Sequence, residues 1–171
     1  MPKLVAVAAI AALAALAAAA TPAAAQSTPP QIAQAPAAGV VLASGDYSED
    51  SNLRCDLLEA RRVTGGVLLV RWRIVNTTSG QSGGVTSASP KKIRYSFNWS
   101  DLYYIDPAEN KRYQFLTDAS GNRILEMYEG DYAAGQQRTN WAKFPAPPAS
   151  STKISIVIPK FAPFEDVTIA P

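Results

Sequence analysis

The chain has 171 residues with 13 Pro, 10 Gly, 3 Trp, 7 Tyr, 5 Phe, one Cys and no His, and its formal net charge is +2. Without His, the commonest general acid/base and the commonest zinc ligand are both missing, and a lone Cys allows neither an internal disulfide nor a Cys-x-x-Cys redox pair. A charge so near neutrality gives no general reason to bind nucleic acid or an anionic membrane.

Lys3 is followed by an apolar run through Ala20 and then by Ala23-Ala24-Ala25. A basic start, an apolar stretch and a small-residue site describe a secretory signal peptide over residues 1–25, cleaved after Ala25. A retained membrane anchor is the competing reading, since the run nearly reaches spanning length. Most of the run is the weakly apolar Ala, so cleavage is expected, with a periplasmic or secreted product and no integral span. Cys55 lies far from any lipobox position. All 14 acidic residues and every Lys and Arg except Lys3 lie beyond residue 25, leaving a net charge near +1. The remaining length suits one core and one domain.

Residues 26–45 are rich in Pro, Ala and Gln with no apolar face, which reads as a flexible leader. Only residues 40–43 offer a short strand there. The domain is placed at residues 46–171. Leu53, Cys55 and Leu57 share one side of a first strand, and Thr64-Gly65-Gly66 turns the chain back. Leu68, Val70, Trp72 and Ile74 then alternate with Arg71 and Arg73, the pattern of a sheet with one dry and one wet face. Residues 77–92 are too polar and too rich in Gly and Ser for an element and are expected as an exposed loop. Residues 93–100 are ambiguous between a strand and a short helix.

A second hairpin runs from Leu102-Tyr103-Tyr104-Ile105 through Asp106-Pro107-Ala108-Glu109-Asn110 into Arg112-Tyr113-Gln114-Phe115-Leu116. Residues 124–128 are read as strand, 130–137 as loop and 138–144 as strand, stopped by Pro145-Ala146-Pro147-Pro148. Ile154, Ile156 and Ile158 alternate in the next strand, and residues 164–169 form the last. Such a succession, about 7–9 short strands without a useful helix, indicates an all-β, antiparallel sandwich.

Cys55, between Leu53 and Leu57 on one face, is expected to be a buried apolar side chain rather than half of an intermolecular disulfide. Trp72 and Trp141 are expected to anchor the core. Of Tyr103 and Tyr104, neighbours on one strand, one must point outward. Together with Tyr113 they form the candidate interaction surface, against the alternative that they are cross-strand pairs stiffening a sheet. Asp106 with Asn110, and Asp118 with Asn122, could hold Ca²⁺, but neither has a calcium-loop spacing and turn formation explains both. No cofactor or metal is expected. Ser89 with Lys91 or Lys92 is the one dyad of suitable composition, and the acidic pairs Glu49/Asp50 and Glu165/Asp166 would point apart on a strand. No catalytic residue is assigned.

Tyr103-Tyr104-Ile105-Asp106-Pro107, Lys111-Arg112-Tyr113, Asp118-Ala119-Ser120-Gly121-Asn122, Trp141-Ala142-Lys143-Phe144-Pro145-Ala146-Pro147-Pro148 and Pro163-Phe164-Glu165-Asp166-Val167 resemble the bacterial secreted immunoglobulin-like domains found alone or ahead of OmpA-type modules. A looser similarity is to small exported immunoglobulin-like proteins of mycobacteria. The resemblance implies an immunoglobulin-like sandwich and no catalytic or binding residues. The expectation is an exported, non-enzymatic envelope or extracellular interaction module whose partner, an envelope protein or a glycan, the sequence does not name. The alternative is a carbohydrate or peptidoglycan-fragment binder using exposed Tyr and Trp, and a His-free hydrolase comes third.

Overall fold

The computed structural model describes residues 40–78 and 91–171. The expected signal peptide, most of the leader, most of the polar loop and Ser89 lie outside the described residues. Strands β1 (Ala43–Tyr47), β2 (Asp50–Val63) and β3 (Val67–Asn76) follow one another as an antiparallel meander. β1 thus begins ahead of the Asp46 start read from the sequence. The turn between β2 and β3 places Gly65 and Gly66 at φ of 84° and 68°, a backbone region that side chains with a Cβ resist.

β4 (Ile93–Tyr95) leads into a single 3-10 turn, Trp99–Asp101, so both readings of residues 93–100 are realised in sequence. The hairpin of β5 (Tyr103–Asp106) and β6 (Lys111–Gln114) is in place, with Asn110 at φ 51° in its turn. β7 (Leu125–Glu126), β8 (Gly130–Tyr132), β9 (Gln137–Pro145), β10 (Lys153–Val157) and β11 (Phe164–Thr168) complete the described residues. β8 corrects the expectation of a loop over 130–137: Ile93 pairs with Tyr132 and Tyr95 with Gly130. Three residues are too few to show a period of two, so the pairing is fixed by burial of Ile93, Tyr95 and Tyr132, not by pattern.

The strands form antiparallel sheets of order β1-β2-β3-β9-β7, β11-β10-β5-β6 and β4-β8. They share one core. Leu53, Cys55, Leu57, Leu68, Val70, Trp72 and Ile74 are fully buried, as their alternation requires, and Ile154, Ile156 and Ile158 meet them from β10 and its end. Tyr104 of β5 packs edge-on to Phe144 of β9, ring centroids 5.5 Å apart. A bulge in β2 between Leu57 and Glu59 resets its facing, so that Ala60 turns inward while Glu59 pairs with Arg71 on the outside.

The crossover from β9 to β10 is tied at several points. Arg62 donates to the carbonyls of Pro147 (2.5 Å), Pro148 (2.7 Å) and Ser151 (2.9 Å), and the Ser151 hydroxyl donates to Asp106 Oδ2 (2.6 Å). Arg62 belongs to the five-stranded sheet and Asp106 to the four-stranded one.

Candidate functional site

Strand alternation separates the three candidate tyrosines. Tyr104 points inward, is fully buried, stacks on Tyr113 (4.7 Å, interplanar 5°) and donates through its hydroxyl to the Pro145 carbonyl (2.8 Å). Burial pushes its hydroxyl pKa far up. Tyr113 is half-buried on the same side; its hydroxyl donates to Glu109 (2.6 Å), which raises its pKa to about 12. Tyr104 and Tyr113 are therefore a cross-strand pair, and Tyr104 is corrected from surface to core. Tyr103 alone faces outward.

Its surroundings come from elements the sequence did not bring together. The Arg112 guanidinium lies 3.7 Å from the Tyr103 ring centroid and donates to the Ser100 carbonyl (2.6 Å). Next along the 3-10 turn, the Trp99 ring carries Arg123 at 4.7 Å and rests edge-on against Phe97 (4.8 Å), which leans on buried Tyr95. Arg123 is positioned by its bridge to Thr117. Tyr103 with Arg112 and Trp99 with Arg123 are thus two ring–guanidinium pairs, linked through the 3-10 turn where Arg112 reaches the Ser100 carbonyl, with Trp99 packed against the core. A basic residue next to Tyr113 was a visible signal for Arg112, but nothing local foretold Trp99 with Arg123.

The two tryptophans expected in the core also diverge. Trp72 is fully buried. Trp141 is not: it lies on the outer face of β9, half-buried, with its indole N–H donating to Glu126 Oε2 (3.0 Å). Its register partner is Arg71, on the wet face of β3, so the facing follows from the pairing. That outer face also holds Asp56, 1% exposed, which accepts from Ser44 Oγ (2.8 Å), Arg54 Nε (2.9 Å) and Arg73 Nη2 (2.7 Å). Burial works to raise the carboxyl pKa, but these donors outweigh it and hold it below the usual range.

Cys55 is fully buried and free, and burial pushes its thiol pKa well up. A thiol reagent is expected to leave the native protein unlabelled and to modify one Cys once the chain is unfolded in guanidinium. Rapid native labelling would show that the core opens around β2.

The two acidic turns are occupied by protein donors. Asp118 accepts from the backbone N–H groups of Ser120 (2.9 Å) and Asn122 (2.8 Å) and from Asn122 Nδ2 (2.9 Å), while buried Asp106 accepts from Ser151 and from the Ala108 N–H (3.0 Å). Among the described residues no three His, Cys, Asp or Glu side chains gather as metal ligands, and no helix is long and apolar enough to cross a membrane. Lys91 pairs with Asp50 (2.6 Å) and Glu49 with Lys160 (2.5 Å), so each of these carboxylates faces a cation. No protein-family model matches the chain, and no curated protein or solved structure matches it.

Proposed function

We propose that the protein is an exported, non-enzymatic interaction module with an immunoglobulin-like sandwich fold, and that it holds an envelope or extracellular protein on the Trp99–Tyr103–Arg112–Arg123 patch. What supports the fold reading is an antiparallel five-stranded sheet and an antiparallel four-stranded sheet, with Tyr104 of one meeting Phe144 of the other. The export reading rests on the apolar, Ala-rich start and its small-residue site. The observation that carries the docking surface is the pairing of outward aromatic rings with Arg, the residue types that dominate binding energy at protein interfaces.

Sugar recognition is less well served. Tyr103, Tyr113, Trp99 and Tyr128 each carry a Lys or Arg cation within 5 Å of the ring centroid, so a stacking sugar would have to displace it from that face. The test is recovery of a partner from envelope extract by the native protein and by a Tyr103→Ser/Arg112→Ala variant. The native protein is expected to retain a specific partner and the variant to lose it at least about tenfold. Equal recovery by both would remove this patch from consideration.

A further inference from the structure

Cations lie over most of the tyrosine and tryptophan rings that keep accessible surface: Lys111 over Tyr113, Arg112 over Tyr103, Arg123 over Trp99 and Arg138 over Tyr128. Trp141 is the exception. It is half-buried, and among the described residues no cation lies over its ring. It is also held still: its indole N–H donates to Glu126 Oε2 (3.0 Å), so the ring plane is set before any ligand arrives and little ordering entropy is left to lose on binding.

The surroundings of the ring follow from strand register. Side chains paired across antiparallel strands share a face, so Glu126 of β7, Trp141 of β9, Arg71 of β3 and Glu59 of β2 form one row across the outer face of the five-stranded sheet. Thr139 and Lys143 flank the ring along β9 on that same face. Glu126 and Thr139 are exposed, while Arg71 and Lys143 keep part of their surface. Glu59 and Glu126 balance Arg71 and Lys143, so the ring is surrounded by hydrogen-bonding groups without a net charge. Glu126 and Thr139 also line a recess of about 230 Å³, which leaves room for a second ligand unit next to one seated on the indole.

We propose that Trp141 is a stacking platform for a neutral saccharide of the β-1,4-linked class, whose pyranose rings lie flat along an extended chain. The face of an aromatic ring is negative, and a pyranose with equatorial hydroxyls turns weakly positive C–H groups toward it. Its hydroxyls then project at the rim, where Glu126 accepts and Arg71, Lys143 and Thr139 donate. Hydrogen bonds to charged groups are the stronger kind. The balanced charge of the platform suits a neutral chain better than a polyanion. A protein partner would find a single aromatic ring on this face, without the clustered anchors of an interface core. The site lies on a different sheet from Tyr103 and Arg112 and does not rest on their role.

The experiment is a calorimetric titration with cellotetraose and with chitotetraose, followed in parallel through the NMR indole signals of the 3 tryptophans. Saturable binding of at least one tetrasaccharide is expected, with the shift at Trp141 and none at buried Trp72 or at Trp99. Binding of chitotetraose alone assigns the site to N-acetylated chains; binding of both assigns it to the backbone they share. Trp141→Ala should weaken binding at least about tenfold, Trp141→Phe should recover part of that loss, and Tyr103→Ser/Arg112→Ala should bind as the native protein does. An unmoved Trp72 indole signal shows that the core of each variant is intact. Failure of both tetrasaccharides to bind, a shift at Trp99 in place of Trp141, or undiminished binding by Trp141→Ala overturns the proposal.

Discussion

Tyr104→Ser should cost about 3–5 kcal/mol of stability, in the range for deleting a large buried aromatic side chain, whereas Tyr103→Ser, one residue earlier, should cost about 1 kcal/mol or less. The Tyr104 ring is fully buried, lies flat on Tyr113, meets Phe144 across the core and anchors its hydroxyl on Pro145. Removing it leaves a cavity between two sheets and an unmet carbonyl. Tyr103 loses only its contact with Arg112 and part of an outer surface. Urea denaturation of the two variants measures the difference directly. Equal losses would mean that the two side chains do not alternate across the strand.

The second large effect is expected at Asp56. Its carboxylate is buried beneath Arg54 and Arg73 and also accepts from Ser44, so Asp56→Ala leaves two guanidinium groups crowded without their shared anion. Breaking a buried ion pair from one side costs about 3–5 kcal/mol. The arginines here are partly exposed and solvent screens them, so about 2–3 kcal/mol is expected. The pH dependence has a definite sign. Because the folded carboxyl pKa lies below its unfolded value near pH 4, this stabilisation is complete above that unfolded value and disappears as pH falls through the folded one. Denaturation curves between pH 7 and pH 2 should show native protein losing stability over the acid range more steeply than Asp56→Ala. A double-mutant cycle with Arg73→Ala would report the coupling itself.

The alternation of Leu53, Cys55 and Leu57, and of Leu68, Val70, Trp72 and Ile74, was enough to read β2, β3 and their facing from the sequence, because a period of two sustained over many residues is what a half-buried strand imposes. The hairpin of β5 and β6 was legible for a different reason, since Pro107 and Asn110 announce its turn. What escaped was anything set by pairing across distance. Trp141 follows the same local pattern as a core residue and yet faces outward, since its facing is inherited from Arg71 on the neighbouring strand. β4 and β8 are too short to carry a pattern of their own. The candidate site was half visible: Tyr103 could be assigned to one of two faces, but Trp99, Arg112 and Arg123 reach it from separate elements.

The grip of Arg62 on the β9–β10 crossover bears on resistance to proteolysis. A protease must draw several residues of backbone into its cleft in an extended form, and a connection of Pro, Ala and Ser between two sheets is where it would first gain purchase. Here the carbonyls of Pro147, Pro148 and Ser151 are held by one guanidinium on one layer, and Ser151 is fastened to Asp106 on the other. Digestion at this point must wait until both layers loosen together, so cleavage there reports the opening of the whole fold instead of the fraying of a loop.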